Sequence, residues 1–424
     1  MADYRQRVVD VELDELLAGV AAIAITGARG VGKTETASRR AATVYRLDDR
    51  PIRLIVEADP RRVVRGERPI LVDEWQLVPE SWDLVRRSVD SDRSPGQFLL
   101  TGSRSPLTPP THSGAGRIVP LRMRPMTLSE RGVATPTVSL GALLSGRRDA
   151  IGGTSDVTTD RYAHEILASG LPGLRGLPER AVRATLDGYL EHIVDRDFEE
   201  AGRPVRNTAS LRRWMQAYAA ATSTTASYEK IRDAASAGST DKPAKTTVIR
   251  YADVLERLWI LDPIPAWRPT SNELSRLTLS PKHHLVDPAL AARLRRATID
   301  TLLRGVAPGA PGQPDATLFG ALFESLVSLD IRVYAQASEA AVLHFRDKGG
   351  AHEVDLIVEG ADRRVLAIEV KLSTTVTDED VRHLTWLRDR LGDAVLDLVI
   401  VTTGREAYRR RDGIAVVPAA LLGP

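Results

Sequence analysis

VAAIAITGARGVGKT, residues 20–34, carries an apolar run into a glycine-rich turn and on into KTETASRRAATVY (33–45), which reads as a helix. Within it, Gly27, Ala28, Arg29, Gly30, Val31, Gly32, Lys33 and Thr34 form a complete G-x-x-x-x-G-K-T. The glycines let backbone N–H groups turn inward and cradle phosphate oxygens at a helix amino terminus. In this pattern Lys33 bridges the β- and γ-phosphates and the Thr34 hydroxyl ligates Mg²⁺. Strand, loop and helix follow in the order the mechanism requires, so the expected ligands are ATP and Mg²⁺.

Three later segments extend this reading. Ile70-Leu71-Val72-Asp73-Glu74 is an apolar strand ending in two acids. Asp73 is expected to hold the Mg²⁺ shell, and Glu74 to orient or deprotonate the attacking water. FLLTGSR (98–104) is expected to lie beside it and place Ser103, with Thr101 as second choice, near the γ-phosphate. SPLTPPTHSGAG (105–116) reads as a mobile surface loop, and Arg117 after it as a stabiliser of charge on the transferred phosphoryl group. IRLIVEAD (52–59) reads as one more strand. Strands spaced by helices make an α/β fold with a parallel sheet covered on both faces.

Composition bounds the rest. A chain of 424 residues exceeds one ordinary core, so two or three domains are expected. There are no cysteines, which removes disulfides, thiolate catalysis and cysteine-bound zinc, and fits a reducing cytoplasm. The amino terminus has no apolar core of a secretory signal, and the longest apolar stretch, Leu16 to Ile25, is far short of a membrane span. A net charge of +2 gives no argument for nucleic acid. Arginines do cluster at 117–131 and 408–413, although Arg-for-Lys usage also follows a genome rich in G and C.

GARGVGKT, ILVDEWQ, FLLTGSR and GRIVPLRMRPMTLSE, with its run from Pro125 to Glu130, together resemble the AAA-type ATPases of bacteria and archaea that carry a C-terminal domain of unknown function. The resemblance covers essentially the whole chain. It implies an ATPase domain over 1–136, a helical lid or linker over 137–207, a winged-helix-like module over 208–275, and a nuclease-like α/β domain over 276–424. It also implies a homo-oligomeric ring, six subunits being one size open to it, with Arg117 acting across a subunit interface. A structural pairing of Arg117 with an acid is the other reading.

The later modules add candidates. Thr246, Thr247, Val248, Tyr251, Leu255 and Leu258 match the winged-helix element of that family. Lys245, Thr246, Thr247 and Arg250 are then the residues for DNA, unless the element only packs against protein. In the last domain, Asp355, Glu369 and Lys371, with Glu324 upstream, resemble the PD-(D/E)xK nuclease pattern. Period-two alternation puts Glu369 and Lys371 on one face of a strand beside Asp355, where the two carboxylates can hold Mg²⁺. His283 and His284 read as turn and strand, and Trp214, Trp259, Trp267 and Trp386 as packing aromatics. The functional expectation is an oligomeric, Mg²⁺-dependent ATPase acting on DNA, with forked or branched DNA as substrate. The alternatives are an ATP-regulated nuclease and a nucleotide-gated regulatory protein with a protein partner.

Overall fold

The computed structural model describes residues 4–103, 114–200, 205, 207–237, 242–268, 279–304, 316–347 and 349–424. Most of the loop expected at 105–116, Arg104, and the first part of the turn expected at 238–243 lie outside the described residues.

The amino-terminal sheet has five strands: β1 (Ala22–Thr26), β2 (Thr43–Arg46), β3 (Ile70–Asp73), β4 (Phe98–Gly102) and β5 (Ile118–Arg122). All pair in parallel, in the order β2-β3-β4-β1-β5. Parallel pairing gathers every carboxyl end on one edge, where open α/β sheets bind ligands. The register aligns Thr26 with Gly102 and with Arg122, and Asp73 with Thr101. The strand interiors Ile23, Ile25, Leu71, Leu99 and Leu100 are fully buried.

Two segments differ from the sequence expectation. The helix after the glycine loop is short, Lys33–Ser38, and TVYR forms edge strand β2 instead of continuing it. IRLIVEAD is helical through Ala58, within Arg50–Ala58. A short apolar run does not by itself separate strand from helix. Here Pro51 stands in the first turn, where its missing N–H is not needed. Val56 is fully buried while Leu54 and Ile55 face out. The edge position beside β3 goes to Thr43-Val44-Tyr45, residue types that suit a pleated, half-buried surface.

Beyond Val138 the chain is mostly helical. Helices Thr159–Leu167 and Glu179–His192 come first, and the latter runs on through a π-turn at Ile193–Asp197. Helices Thr208–Ala220, Tyr228–Ser236 and Lys245–Arg257 follow. They pack on Trp214, which is fully buried and meets the rings of Tyr218, Tyr228 and Tyr251. Antiparallel bridges Leu261–Leu285 and Ile264–Lys282 close this part.

β6 (Val138–Ser139) lies apart from the second sheet, which comprises β7 (Ala341–Arg346), β8 (Glu353–Glu359), β9 (Val365–Lys371), β10 (Val395–Thr402), β11 (Tyr408–Arg409) and β12 (Ala415–Pro418). Its order is β11-β12-β10-β9-β8-β7, and β13 (Leu422–Gly423) returns to pair with β6. The helix Ala316–Ala337 ties the two sheets together. Its Asp330 accepts from the Leu128 N–H, Tyr334 donates to Ser129 Oγ at 2.9 Å, and Gln336 donates to the Arg122 carbonyl at 2.9 Å. Among the described residues no helix is long and apolar enough to cross a membrane.

Candidate functional site

The glycine loop closes between β1 and the helix Lys33–Ser38. Gly27 has a positive φ, and a Cβ there would collide with the carbonyl oxygen of Met123, so only glycine fits this turn. Lys33 is buried, and its Nζ donates to the carbonyls of Gly27 and Ala28, each at 2.9 Å. Burial pushes the ammonium down to about 8, against the pull of Glu74 and Asp73. The rest of the loop is braced from outside. Arg7 donates to the Val31 carbonyl at 2.8 Å while Glu130 holds its Nε at 3.0 Å. Tyr189 donates to the Arg29 carbonyl at 3.2 Å, and the Arg29 guanidinium lies 3.4 Å from Asp197 in the π-turn.

The acids meet this loop across the register. Thr34 Oγ1 donates to Asp73 Oδ1 at 2.8 Å, and Thr101 donates to the same oxygen. Burial raises the Asp73 carboxyl, and these two hydroxyls partly offset the rise. Glu74 follows with φ +54°, a left-handed conformation uncommon for a non-glycine residue. Such strain clusters where side-chain direction matters. Its carboxylate accepts from Ser103 at 2.8 Å and from Gln76 Nε2. A Cβ at Gly102 would press on Gln76 Oε1 at 2.6 Å, so the glycine leaves room for that contact. Lys33, Thr34, Asp73, Glu74, Thr101 and Ser103 therefore share one sheet edge.

Arg117 does not join them within one chain. It precedes β5, whose first residue Ile118 pairs with Ala22 at the start of β1, so it stands at the edge opposite the glycine loop. There it is partly exposed and donates to Asp90 at 2.8 Å. The cation at the loop's own edge is Arg122, which the sequence reading passed over. Its guanidinium is mostly buried, 3.7 Å over the Trp259 ring, and none of its three nitrogens has a hydrogen-bond acceptor. Asp262 Oδ1 stands 3.8 Å away but is already engaged by Arg332 at 2.7 Å, and Oδ2 by Arg124 at 2.9 Å. Burial lowers Arg122 to about 9, with Asp262 opposing.

A cavity of about 1280 Å³ opens beside Gly32 and Thr36, between Tyr4 and Arg5 on one side and Pro172–Leu174 on the other. Tyr4 donates to Asp10 at 2.8 Å and meets Thr36 Oγ1 at 3.0 Å, which fixes the amino-terminal segment along this wall.

The other candidates fall elsewhere. Lys245, Thr246 and Arg250 are exposed at the start of helix Lys245–Arg257, Thr247 is half-buried, and Lys245 pairs with Glu229 at 2.8 Å. His283 and His284 are buried, His283 between Tyr218 and the Ala226 carbonyl. Trp267 packs on Phe345, and Trp386 stacks on His352. In the second sheet, Glu324 comes from helix Ala316–Ala337, Asp355 from β8, and Glu369 and Lys371 from β9. The four come together with Lys282, an unforeseen neighbour from the segment bridged to Ile264. Lys282 lies far in sequence from all four and carries no pattern of its own, so no spacing rule could have found it.

A glycine loop after β1, an acid at the end of β3 and polar groups at the end of β4 define an AAA-type P-loop ATPase domain, and residues 20–131 match the model of the AAA domain. Two domains of unknown function, DUF8612 and DUF4143, match residues 159–301 and 319–422. The chain is similar to the uncharacterized proteins Rv2008c of Mycobacterium tuberculosis and Mb2031c of Mycobacterium bovis. Each is 25% identical over 409 residues, covering 94% of this chain and 80% of the relative. Among solved structures, the Walker-type ATPase PABY2304 of Pyrococcus abyssi aligns with 68% of this chain and 94% of its own, at 13% identity and a TM-score of 0.39. The Aeropyrum pernix ORC2 protein aligns with 70% and 95%, at 16% identity and 0.30. Superpositions this loose carry no functional argument.

Proposed function

We propose that this protein hydrolyses ATP with Mg²⁺ and uses the cycle to move its later domains on DNA. The observation that supports it most is the bond between Thr34 and Asp73 beside a buried Lys33, with Glu74 set one residue further on. Thr34 and Asp73 offer paired hard oxygens at the helix start, a donor set that suits Mg²⁺. When bound, the ion neutralises charge on the β- and γ-phosphate oxygens. Lys33 exchanges two backbone carbonyls for phosphate oxygens, a stronger, charge-assisted pairing. Glu74 takes the proton of the attacking water, and the Ser103 hydroxyl that now holds it is free to turn to the γ-phosphate. The cavity beside Gly32 and Thr36 receives the nucleoside.

Arg122 is our candidate for the charge stabiliser within a subunit, because its unpartnered N–H groups lack an acceptor that an anion would supply. Arg117 is left for a role across a subunit interface in a ring. The route outward runs from Arg122 through Asp262 to Arg332, and so into helix Ala316–Ala337. DNA contact is assigned to the exposed start of helix Lys245–Arg257.

Steady-state ATPase activity with single-stranded, duplex, forked and four-way-junction DNA tests the reading, with Glu74→Gln as control. Stimulation by one form, abolished in Glu74→Gln, is the expected result. Turnover indifferent to every form would overturn the DNA reading in favour of a protein partner. That second reading draws on Ile249, an exposed apolar residue next to Arg250 on the same helix.

A further inference from the structure

The carboxylates of the second sheet surround a cation that belongs to the chain itself. Lys282 is fully buried, and its backbone is locked to Ile264 by reciprocal bonds of 2.9 Å. Its Nζ lies 2.9 Å from Glu324 Oε1, 3.0 Å from Asp355 Oδ1 and 3.6 Å from Glu353 Oε1. Asp355 Oδ2 accepts the Val370 N–H at 2.9 Å, which fixes that carboxylate one register step beyond the Leu356–Ile368 pair. Glu369 accepts from Lys371 through Oε1 at 2.8 Å. Its other oxygen, Oε2, is buried and has no hydrogen-bond partner, although Glu369 is only 5% exposed. An unsatisfied carboxylate oxygen in an acidic pocket marks a place for a ligand of positive charge.

We infer that this pocket is a divalent-cation site in which the ammonium of Lys282 has replaced the ion. The replacement is competitive. Glu324 and Asp355 cannot close on a Mg²⁺ or Mn²⁺ ion at about 2.1 Å while an ammonium holds the same oxygens at hydrogen-bond distance. Among the described residues no three His, Asp or Glu side chains converge closely enough to hold a metal, and here Lys282 stands between Glu324 and Asp355. Being tethered, the ammonium competes at a high effective concentration. Metal-dependent phosphodiester cleavage at these residues therefore requires Lys282 to leave. The inference does not depend on the nucleotide site.

Mn²⁺ binding to the full-length, nucleotide-free protein, read from loss of the free-ion EPR signal, tests it. Wild type and Asp355→Asn should take up Mn²⁺ identically. Lys282→Met should gain a site with affinity raised on the order of tenfold or more, and Lys282→Met/Asp355→Asn should lose it. Uptake by wild type that disappears in Asp355→Asn would overturn the inference, as would a folded Lys282→Met that gains nothing. If Lys282→Met does not hold its fold, Lys282→Gln, which removes the charge but keeps an N–H donor for the carboxylates, is read in the same way, while the wild-type comparison stands by itself.

Discussion

Two buried lysines, Lys33 and Lys282, use the same side chain for opposite ends. Lys33 rests on two neutral backbone carbonyls, so an anionic ligand can displace its partners at a net gain. Lys282, itself fully buried, rests on the carboxylates of Glu324 and Asp355, so it is itself the bound cation. The difference lies in the partners and not in burial, which both share. A lysine over dipoles is ready for a ligand, whereas a lysine among charges completes a structure.

The largest expected effect separates the two by function. Lys33→Ala should lower ATP turnover on the order of 10³-fold with the melting temperature preserved. Glu74→Gln should lower it by about 10²-fold or more while nucleotide binding persists, measured by binding of a fluorescent nucleotide. Lys282→Met should do the reverse. Leaving buried carboxylates without their counterion costs about 3–5 kcal/mol in chemical denaturation, while turnover per folded molecule stays at the wild-type level. Turnover lost in Lys282→Met at full folding would break the comparison.

Asp262 sharpens it from the acidic side, as the shared counterion of Arg122, Arg124 and Arg332. Asp262→Asn should cost about 3–5 kcal/mol at neutral pH. Burial works against the Asp262 charge, but the three guanidinium groups overcome this and hold its carboxyl well below the usual range. Its stabilising contribution is therefore full above the unfolded value and is lost as pH falls through the lower folded one. Denaturation curves of wild type and variant should keep their separation down to about pH 4 and converge only below it. A smaller effect is expected at Arg122→Ala, with turnover lowered about 10- to 100-fold and KM for ATP changed less than kcat. Arg117→Ala should leave the melting temperature unchanged, because its pairing with Asp90 is solvent-exposed. Its turnover, measured at rising protein concentration, should fall only where subunits associate.

Much of the nucleotide site could be read directly, and for a local reason. Gly27 to Thr34 is contiguous, and its chemistry depends on backbone turns that glycine itself specifies. Asp73 and Glu74 end a run whose apolar character already marks a buried strand. The errors near them, a helix carried through Thr43–Tyr45 and a strand placed at 52–59, arise where short apolar stretches satisfy both periodicities. Which one took the sheet edge was decided by packing, through Pro51 in a first turn and the pairing of Val44 with Leu71.

What the sequence determined by itself is the set of parts whose function resides in adjacent residues: the phosphate loop, the acidic strand end and the Glu369-Val370-Lys371 triplet. What only the tertiary structure decided is which charges face one another across long separations. It put Arg117 at the far edge of the sheet and Arg122 at the near one, both from the same arginine-rich stretch. It also carried Lys282 into the midst of Glu324 and Asp355. Charge pairing acts through space and leaves no period along the chain, so a buried cation's partner is fixed by the fold that brings them together.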